Sequence, residues 1–359
     1  MEKISMKVIL LAPKPPPAGG IAGWTMRMEK AKLINNWKVE VVDEKLIGKR
    51  EVFGEQSKKS IYNETKRTLK IWLNLFLKAR DKEVKVVHSS IPATRMAMTR
   101  ELICCYISKV MRKKFIIHYR CTVPYMCTKK IDIFLMKKLS NASDKVFCLN
   151  KESQKFIENN TKTESVLIPN FIDEESIIQH EVVINKNIKN VIYVGGVIKS
   201  KGAVDILKVA EKLPYIDFTL IGKASKEIFD MKKTDNITIL GEIPLNEVTG
   251  ELDKADVFLF PSYFEGEGFS NALAEAMARG LPCIVSDWAA NSDMIEKNGG
   301  IVVDIKKPDQ IVKAILHLEK NPQKRVENSA FNINKVKNNY IDRIVTSMYV
   351  KEYEKTIQS

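Results

Sequence analysis

Short, almost wholly apolar runs recur along this chain, each followed by a longer segment whose apolar residues return at helical spacing. Met6 to Ala12, Lys38 to Val42, Val84 to His88, Phe115 to His118 and Lys145 to Leu149 read as strands, with helices near 21–35, 62–80, 92–112 and 128–140. A strand without a polar face must be covered on both sides. Helices between successive strands then imply a parallel sheet. After the turn Ile168-Pro169-Asn170 and a polar stretch to about Lys189, the pattern starts again. Asn190 to Val194, Phe218 to Ile221, Ile237 to Leu240, Val257 to Phe260, Cys283 to Ser286 and Ile301 to Val303 read as strands. Helices are expected near 203–213, 224–232, 245–253, 271–280, 291–297 and 308–320. A length of 359 residues suits two such domains. The expected fold is therefore α/β, two tandem Rossmann-like doubly wound domains over 1–170 and 171–335. In such sheets ligands bind at the carboxyl ends of the strands, so the expected site is a central cleft that the two domains face.

Composition excludes some classes. No apolar run approaches the roughly 20 residues of a membrane span; the longest near the N-terminus is Val8 to Pro13. The six cysteines, at 104, 105, 121, 127, 148 and 283, form no CxxC pair and no zinc spacing with histidine. They read as reduced core thiols of a cytoplasmic protein. The net charge of +14 is unevenly spread. Residues 1–170 hold 34 Lys+Arg against 16 Asp+Glu, whereas the remainder holds 24 against 28. A basic first half suits an anionic surface. Within it, Leu69, Trp72, Leu73, Phe76 and Leu77 fall on one face of a helix flanked by Lys66, Arg67, Lys70, Lys78, Arg80 and Lys82. Such a helix either packs on the sheet with a basic edge or lies in an anionic bilayer interface. No nucleic-acid motif accompanies the charge, so nucleic acid is not expected as a partner.

Three loops follow strands and open helices. Pro13 to Gly23 carries Gly19, Gly20 and Gly23, which let backbone amides approach an anionic or crowded ligand. Asp43 closes the next strand about twenty residues later, which keeps a dinucleotide reading open. Gly195 to Gly202 places Lys201 where a strand-end loop meets a helix, a position suited to neutralising a diphosphate. The third loop, Pro261 to Pro282, is the most informative. A helix starts near Ser270 or Asn271, either of which can cap it, and stops at Gly280. Its first amides are free for an anion. Glu267 lies before the helix and Glu275 about one turn inside it. Two carboxylates so placed can accept from hydroxyls at opposite ends of one ligand.

The stretch Glu267 to Pro282 resembles the E-x7-E region of family-4 retaining glycosyltransferases of GT-B architecture, of the bacterial surface-polysaccharide type. The Gly19-Gly20 loop, His118, Ile168-Pro169-Asn170 and Lys201-Gly202 are similar to further features of that family, in the same order. Two departures stand out: Phe171 replaces the glycine after Ile-Pro-Asn, and Gly196 stands where an arginine is common, with Lys199 or helix amides as its substitutes.

The resemblance implies a nucleotide-sugar donor, most commonly a UDP-sugar, carrying a hexosyl or N-acetylhexosaminyl group. Glu275 would accept from the ribose. Glu267 would contact the donor sugar. The backbone of Gly268, Phe269, Ser270 and Asn271 would meet the sugar and distal phosphate. Lys201 would offset the leaving-group charge, so no metal and no cofactor are expected. His118 would hydrogen-bond the sugar from the first domain, and Gly19, Gly20, Gly196 and Lys199 would line the donor. The acceptor would be a saccharide or a lipid-diphosphate-linked saccharide, met by the basic half at an anionic membrane surface on the inner face of the plasma membrane. A final helix within 336–359 would return to the first domain. Two other readings remain: a non-catalytic partner or chaperone subunit with this fold, and a dinucleotide-dependent sugar-modifying enzyme.

Overall fold

The structure, a computed structural model, describes residues 5–16, 19–45 and 61–359. Pro17 and Ala18 of the first glycine loop lie outside the described residues. In chain order the elements are β1 (Met6–Ala12), α1 (Gly20–Lys30), β2 (Trp37–Asp43), α2 (Ile61–Ala79), β3 (Val84–Ile91), α3 (Arg95–Val110), β4 (Lys114–Tyr119), α4 (Val123–Met126), α5 (Lys130–Ala142), β5 (Lys145–Cys148), α6 (Lys151–Asn160) and β6 (Ser165–Leu167). There follow β7 (Asn190–Val194), α7 (Ala203–Lys212), β8 (Asp217–Ile221), α8 (Lys226–Phe229), β9 (Ile237–Gly241), α9 (Leu245–Leu252), β10 (Val257–Phe260), α10 (Asn271–Ala278), β11 (Cys283–Ser286), α11 (Asn291–Ile295), β12 (Gly300–Val303), α12 (Pro308–Lys320), α13 (Pro322–Asn339) and α14 (Asp342–Gln358). Among the described residues no helix is long and apolar enough to cross a membrane.

The chain divides into two compact units. Unit 1 comprises Met1–Phe171, Glu265–Phe269 and Asp342–Ser359; unit 2 comprises Ile172–Phe264 and Ser270–Ile341. Each holds one six-stranded parallel sheet, ordered β2-β1-β3-β4-β5-β6 in unit 1 and β12-β11-β10-β7-β8-β9 in unit 2.

The strand period of two sorts side chains to opposite faces of the unit 1 sheet. Ile9, Leu11, Val87, Ile117 and Val146 pack under α2, α3, α5 and α6. Val8, Leu10, Val86, Ile116 and Phe147 pack under α1 and α14. Both faces are thus apolar, as a parallel sheet requires. The helix α14 contributes Val345, Tyr349 and Tyr353, all fully buried, to the second layer. All six cysteines are buried and unbridged; burial pushes the Cys121 thiol up to about 12.

Several boundaries differ from the sequence reading for local reasons. The first helix ends at Lys30, not near 35, and the chain turns into β2 through Asn35 and Asn36, with φ of 57° and 59°. Asparagine tolerates that region better than most residues. Strand β3 continues beyond His88 because Ser89 and Ser90 pair with Ile117 and His118.

The clearest difference concerns α2. Its packing stripe is Ile71, Leu75 and Ala79, with Trp72 half-buried beside them. Leu69, Leu73, Phe76 and Leu77, read as one apolar face with Trp72, are exposed. Leu75→Ala should therefore lower stability by about 2–5 kcal/mol, seen as a lower urea midpoint. Leu73→Ala on the same helix should change it by less than about 0.5 kcal/mol.

Candidate functional site

In unit 2, β7 and β10 are neighbours, so the loops leaving their carboxyl ends lie side by side. Lys201 sits in a single turn of 3-10 helix, Lys199–Lys201, ahead of α7. Its ammonium is 5.5 Å from the Phe264 ring centroid and 5.9 Å from that of Phe260. The Tyr263 amide donates to the Ser200 carbonyl at 2.9 Å, tying the two loops together. Gly202 has φ +82°, and a Cβ there would lie 2.5 Å from the Pro261 carbonyl oxygen. Only glycine satisfies both conditions. Gly195 and Gly196 are half-buried, and the Tyr193 hydroxyl donates to the Gly196 carbonyl at 2.9 Å. Lys199 is exposed.

Of the two candidate caps for α10, Ser270 is the one used. Its hydroxyl accepts from the Leu273 amide at 3.2 Å. The amides of Asn271 and Ala272 then point out of the helix end, where the dipole favours negative charge. The Asn271 side-chain oxygen is shut from solvent and accepts no hydrogen bond among the described residues. Glu275, one turn further on, is half-buried.

The segment just before this helix belongs to unit 1. Its carbonyls are held in succession. The Thr122 amide and hydroxyl donate to the Glu267 carbonyl at 2.9 and 2.8 Å. The Asn150 amide group donates to the Gly268 carbonyl at 3.0 Å and the Asn170 amide group to the Phe269 carbonyl at 3.3 Å. Asn150 also donates to the Thr122 hydroxyl and caps α6. A Cβ at Gly268 would lie 2.8 Å from Leu149 Cδ1 and 3.1 Å from the Arg120 carbonyl. Glu267 and Phe269 are buried.

His118 lies on β4 with its ring fully buried. It stacks on His88 at 5.3 Å between centroids, and Trp24 and Phe147 meet it edge-on. The nitrogens form a chain. His88 Nδ1 is 2.7 Å from the Tyr353 hydroxyl, and His88 Nε2 is 3.2 Å from His118 Nδ1. Arg120 reaches His118 at 3.2 Å, lies over the Trp24 ring, and donates to Asn170 Oδ1. Burial first, and then the Arg120 charge, hold both imidazoles well below the usual histidine range. Burial also lowers Arg120.

Gly19 and Gly20 start α1 at the surface, and a Cβ at either would meet nothing within 4 Å. Asp43 accepts from the Lys14 and Lys45 amides, both at 2.9 Å, so its carboxylate secures the loop after β1.

Reading the sequence alone missed Arg120, Thr122 and Asn150 and took Asn170 only as part of a motif. Their common signal is position: each follows the carboxyl end of β4, β5 or β6 by one to three residues. Polar side chains there face ligand-binding loops rather than the sheet interior.

The fold is the paired parallel-sheet architecture of the GT-B glycosyltransferases. Anabaena HepE, solved in complex with UDP and also with UDP-glucose, superposes with a TM-score of 0.74 for the UDP complex, at 13% identity, over 98% of this chain and all of that one. Residues 174–333 match the family model of the group 1 glycosyl transferases. An uncharacterized glycosyltransferase of Methanocaldococcus jannaschii, MJ1178, is 28% identical over 198 residues, 54% of each chain. The UDP-Gal:alpha-D-GlcNAc-diphosphoundecaprenol alpha-1,3-galactosyltransferase of Escherichia coli is 30% identical over 130 residues, 32% of each chain. The chain thus spans about half or less of the length of these curated relatives.

Two outcomes follow from this geometry. Gly202→Ala should destabilise unit 2 by more than about 1 kcal/mol, measured by denaturant unfolding. The buried imidazoles set a pH dependence. Above their unfolded value of about 6.5 both states are neutral and the full stability is present. As pH falls below it, the unfolded chain binds protons that the folded one refuses, so stability is lost. Each histidine contributes up to about 1.4 kcal/mol per pH unit. Between pH 6.5 and 5, His88→Gln should therefore lose less stability than the parent chain.

Proposed function

We propose that the protein is a glycosyltransferase that moves a sugar from a nucleotide diphosphate, UDP for preference, to a saccharide or lipid-linked saccharide acceptor in surface polysaccharide synthesis. The observation that carries this reading lies within the matched segment: the Tyr263 hydrogen bond ties the Lys201 loop to the loop leaving β10, and the chain leaving β10 goes on to the capped start of α10. A cation and a helix N-terminus on adjoining strand ends suit a diphosphate. The UDP complexes of HepE, and the UDP-sugar and lipid-diphosphate acceptor in the name of the E. coli relative, support the donor and acceptor classes.

In this reading Glu275 accepts from the ribose hydroxyls and Glu267 from the donor sugar. The backbone of Gly268, Phe269, Ser270 and Asn271 meets the sugar and distal phosphate, with Gly19, Gly20, Gly196 and Lys199 around the donor. The bond from the anomeric carbon to the diphosphate oxygen breaks and the bond to the acceptor oxygen forms. The acceptor proton passes to the departing diphosphate on the same face, which gives retention. Lys201 stabilises the charge that develops on the leaving group without a metal. His118, with both ring nitrogens turned to His88 and Arg120, acts as a positioning residue through Arg120, Asn170 and the Phe269 carbonyl.

Thermal unfolding against UDP, GDP, ADP and NAD tests the donor class. A hundredfold excess over the dissociation constant gives about 2.7 kcal/mol of stabilisation. One nucleoside diphosphate should raise the midpoint, and Glu275→Ala should abolish the shift. Lys201→Ala should cut kcat by at least about tenfold while EDTA leaves turnover unchanged. A shift with NAD alone would favour the dinucleotide enzyme. No shift with any of the four would favour the non-catalytic partner.

A further inference from the structure

The side of α2 that the fold leaves uncovered continues across its neighbours. Leu69, Leu73, Phe76 and Leu77 are between 43% and 58% exposed. On α3, Met96, Ile103, Tyr106 and Val110 are exposed at spacings of seven, three and four, one stripe of a helix, and Val110 is 78% exposed. On α5, Ile131 and Phe134 are exposed three residues apart. The three helices pack in sequence over one face of the unit 1 sheet, through the layer built on Ile71, Leu75, Met98, Cys104 and Met136. Their exposed apolar stripes therefore look outward on the same side.

The charge on this layer has one sign. The three helices contain ten basic residues and three acids. Each acid is already bound by an arginine: Glu64 by Arg67, Glu101 by Arg100 and Asp132 by Arg95. The exposed Lys66 and Lys70 border the leucines of α2, Lys109 adjoins Val110, and Lys130 and Lys138 bracket the apolar pair on α5. A protein partner's apolar core rimmed by mixed charge would not require this pattern. A surface that is apolar, cationic and free of uncompensated acid matches an anionic bilayer, where leucine and phenylalanine enter the headgroup boundary and lysines meet lipid phosphates.

We infer that the outer face of α2, α3 and α5 lies on an anionic lipid bilayer. This deepens the membrane-linked acceptor of the proposed function and rests on that reading only for what the acceptor is. Held this way, unit 1 works at the surface from which a lipid-linked acceptor would rise.

Flotation of the full chain tests it, using vesicles of phosphatidylcholine alone or with one third phosphatidylglycerol. At low salt the protein should float with the anionic vesicles and not with the neutral ones. Replacing Lys66, Lys70 and Lys138 by glutamine should weaken binding about fivefold per residue. The substitutions L73E and F76E should abolish it while the unfolding midpoint stays unchanged, since both side chains are outside the core. The UDP thermal shift, run on the same samples, reports the nucleotide site separately. Retention of that shift without flotation overturns the membrane face and leaves the transferase reading standing. Flotation without any nucleotide shift does the reverse. Equal binding to neutral vesicles, undiminished binding by F76E, or self-association that F76E disperses in the absence of vesicle binding would each overturn the inference.

Discussion

Three consecutive carbonyls, those of Glu267, Gly268 and Phe269, are fixed by Thr122, Asn150 and Asn170, residues about a hundred or more positions earlier in the chain. Much of the candidate site depends on this arrangement. A buried carbonyl without a partner costs about 1–3 kcal/mol, so the three bonds define one backbone path for the segment. That path sets where Glu267 is presented. Gly268 allows the approach because any side chain there would collide with Leu149 and the backbone at Arg120. Behind these bonds, Arg120 connects Asn170 to the stacked pair His118 and His88, and Tyr353 ends the row. Positioning of the loop is thereby continuous with the aromatic layer under α14.

Unit 2 solves its own problem with shorter-range means. Lys201 is held near two phenylalanine rings, and Gly202 lets the turn pass against Pro261. The Ser270 hydroxyl gives α10 a defined first turn. A ligand spanning cation and helix end would meet groups already in place, which limits the ordering entropy lost on binding.

How legible this was depended on whether burial and hydrophobicity coincided. Where they did, as in β1, β7, β10 and β11, strands were bounded to the residue. Where they did not, elements went unread. Helix α13 buries Arg325, Asn328, Ser329 and Asn332, so it has almost no apolar stripe; its buried groups bond instead to carbonyls such as those of Leu281 and Gly299. Helix α6 has two buried residues, one of them serine. On α2 the apolar pattern was real, but of the two readings it allowed, packing on the sheet fell to the neighbouring stripe, and the larger one was left outside. The E-x7-E spacing, the Lys201-Gly202 pair and the two candidate caps were all visible as residues. The partners of the loop were not, since hydrogen bonds between distant segments leave no periodic trace.

The position of α14 has a consequence for how the chain is made. Val345, Tyr349 and Tyr353 complete the layer over Val8, Leu10 and Phe147, yet the whole of unit 2 lies between them in sequence. On the ribosome, residues 172–341 emerge before the first sheet can be sealed. Unit 1, although begun first, must wait with this face covered by α1 alone, and His88 and His118 with it. Vectorial synthesis thus favours closure of the second unit ahead of the first, the reverse of the usual N-terminal order.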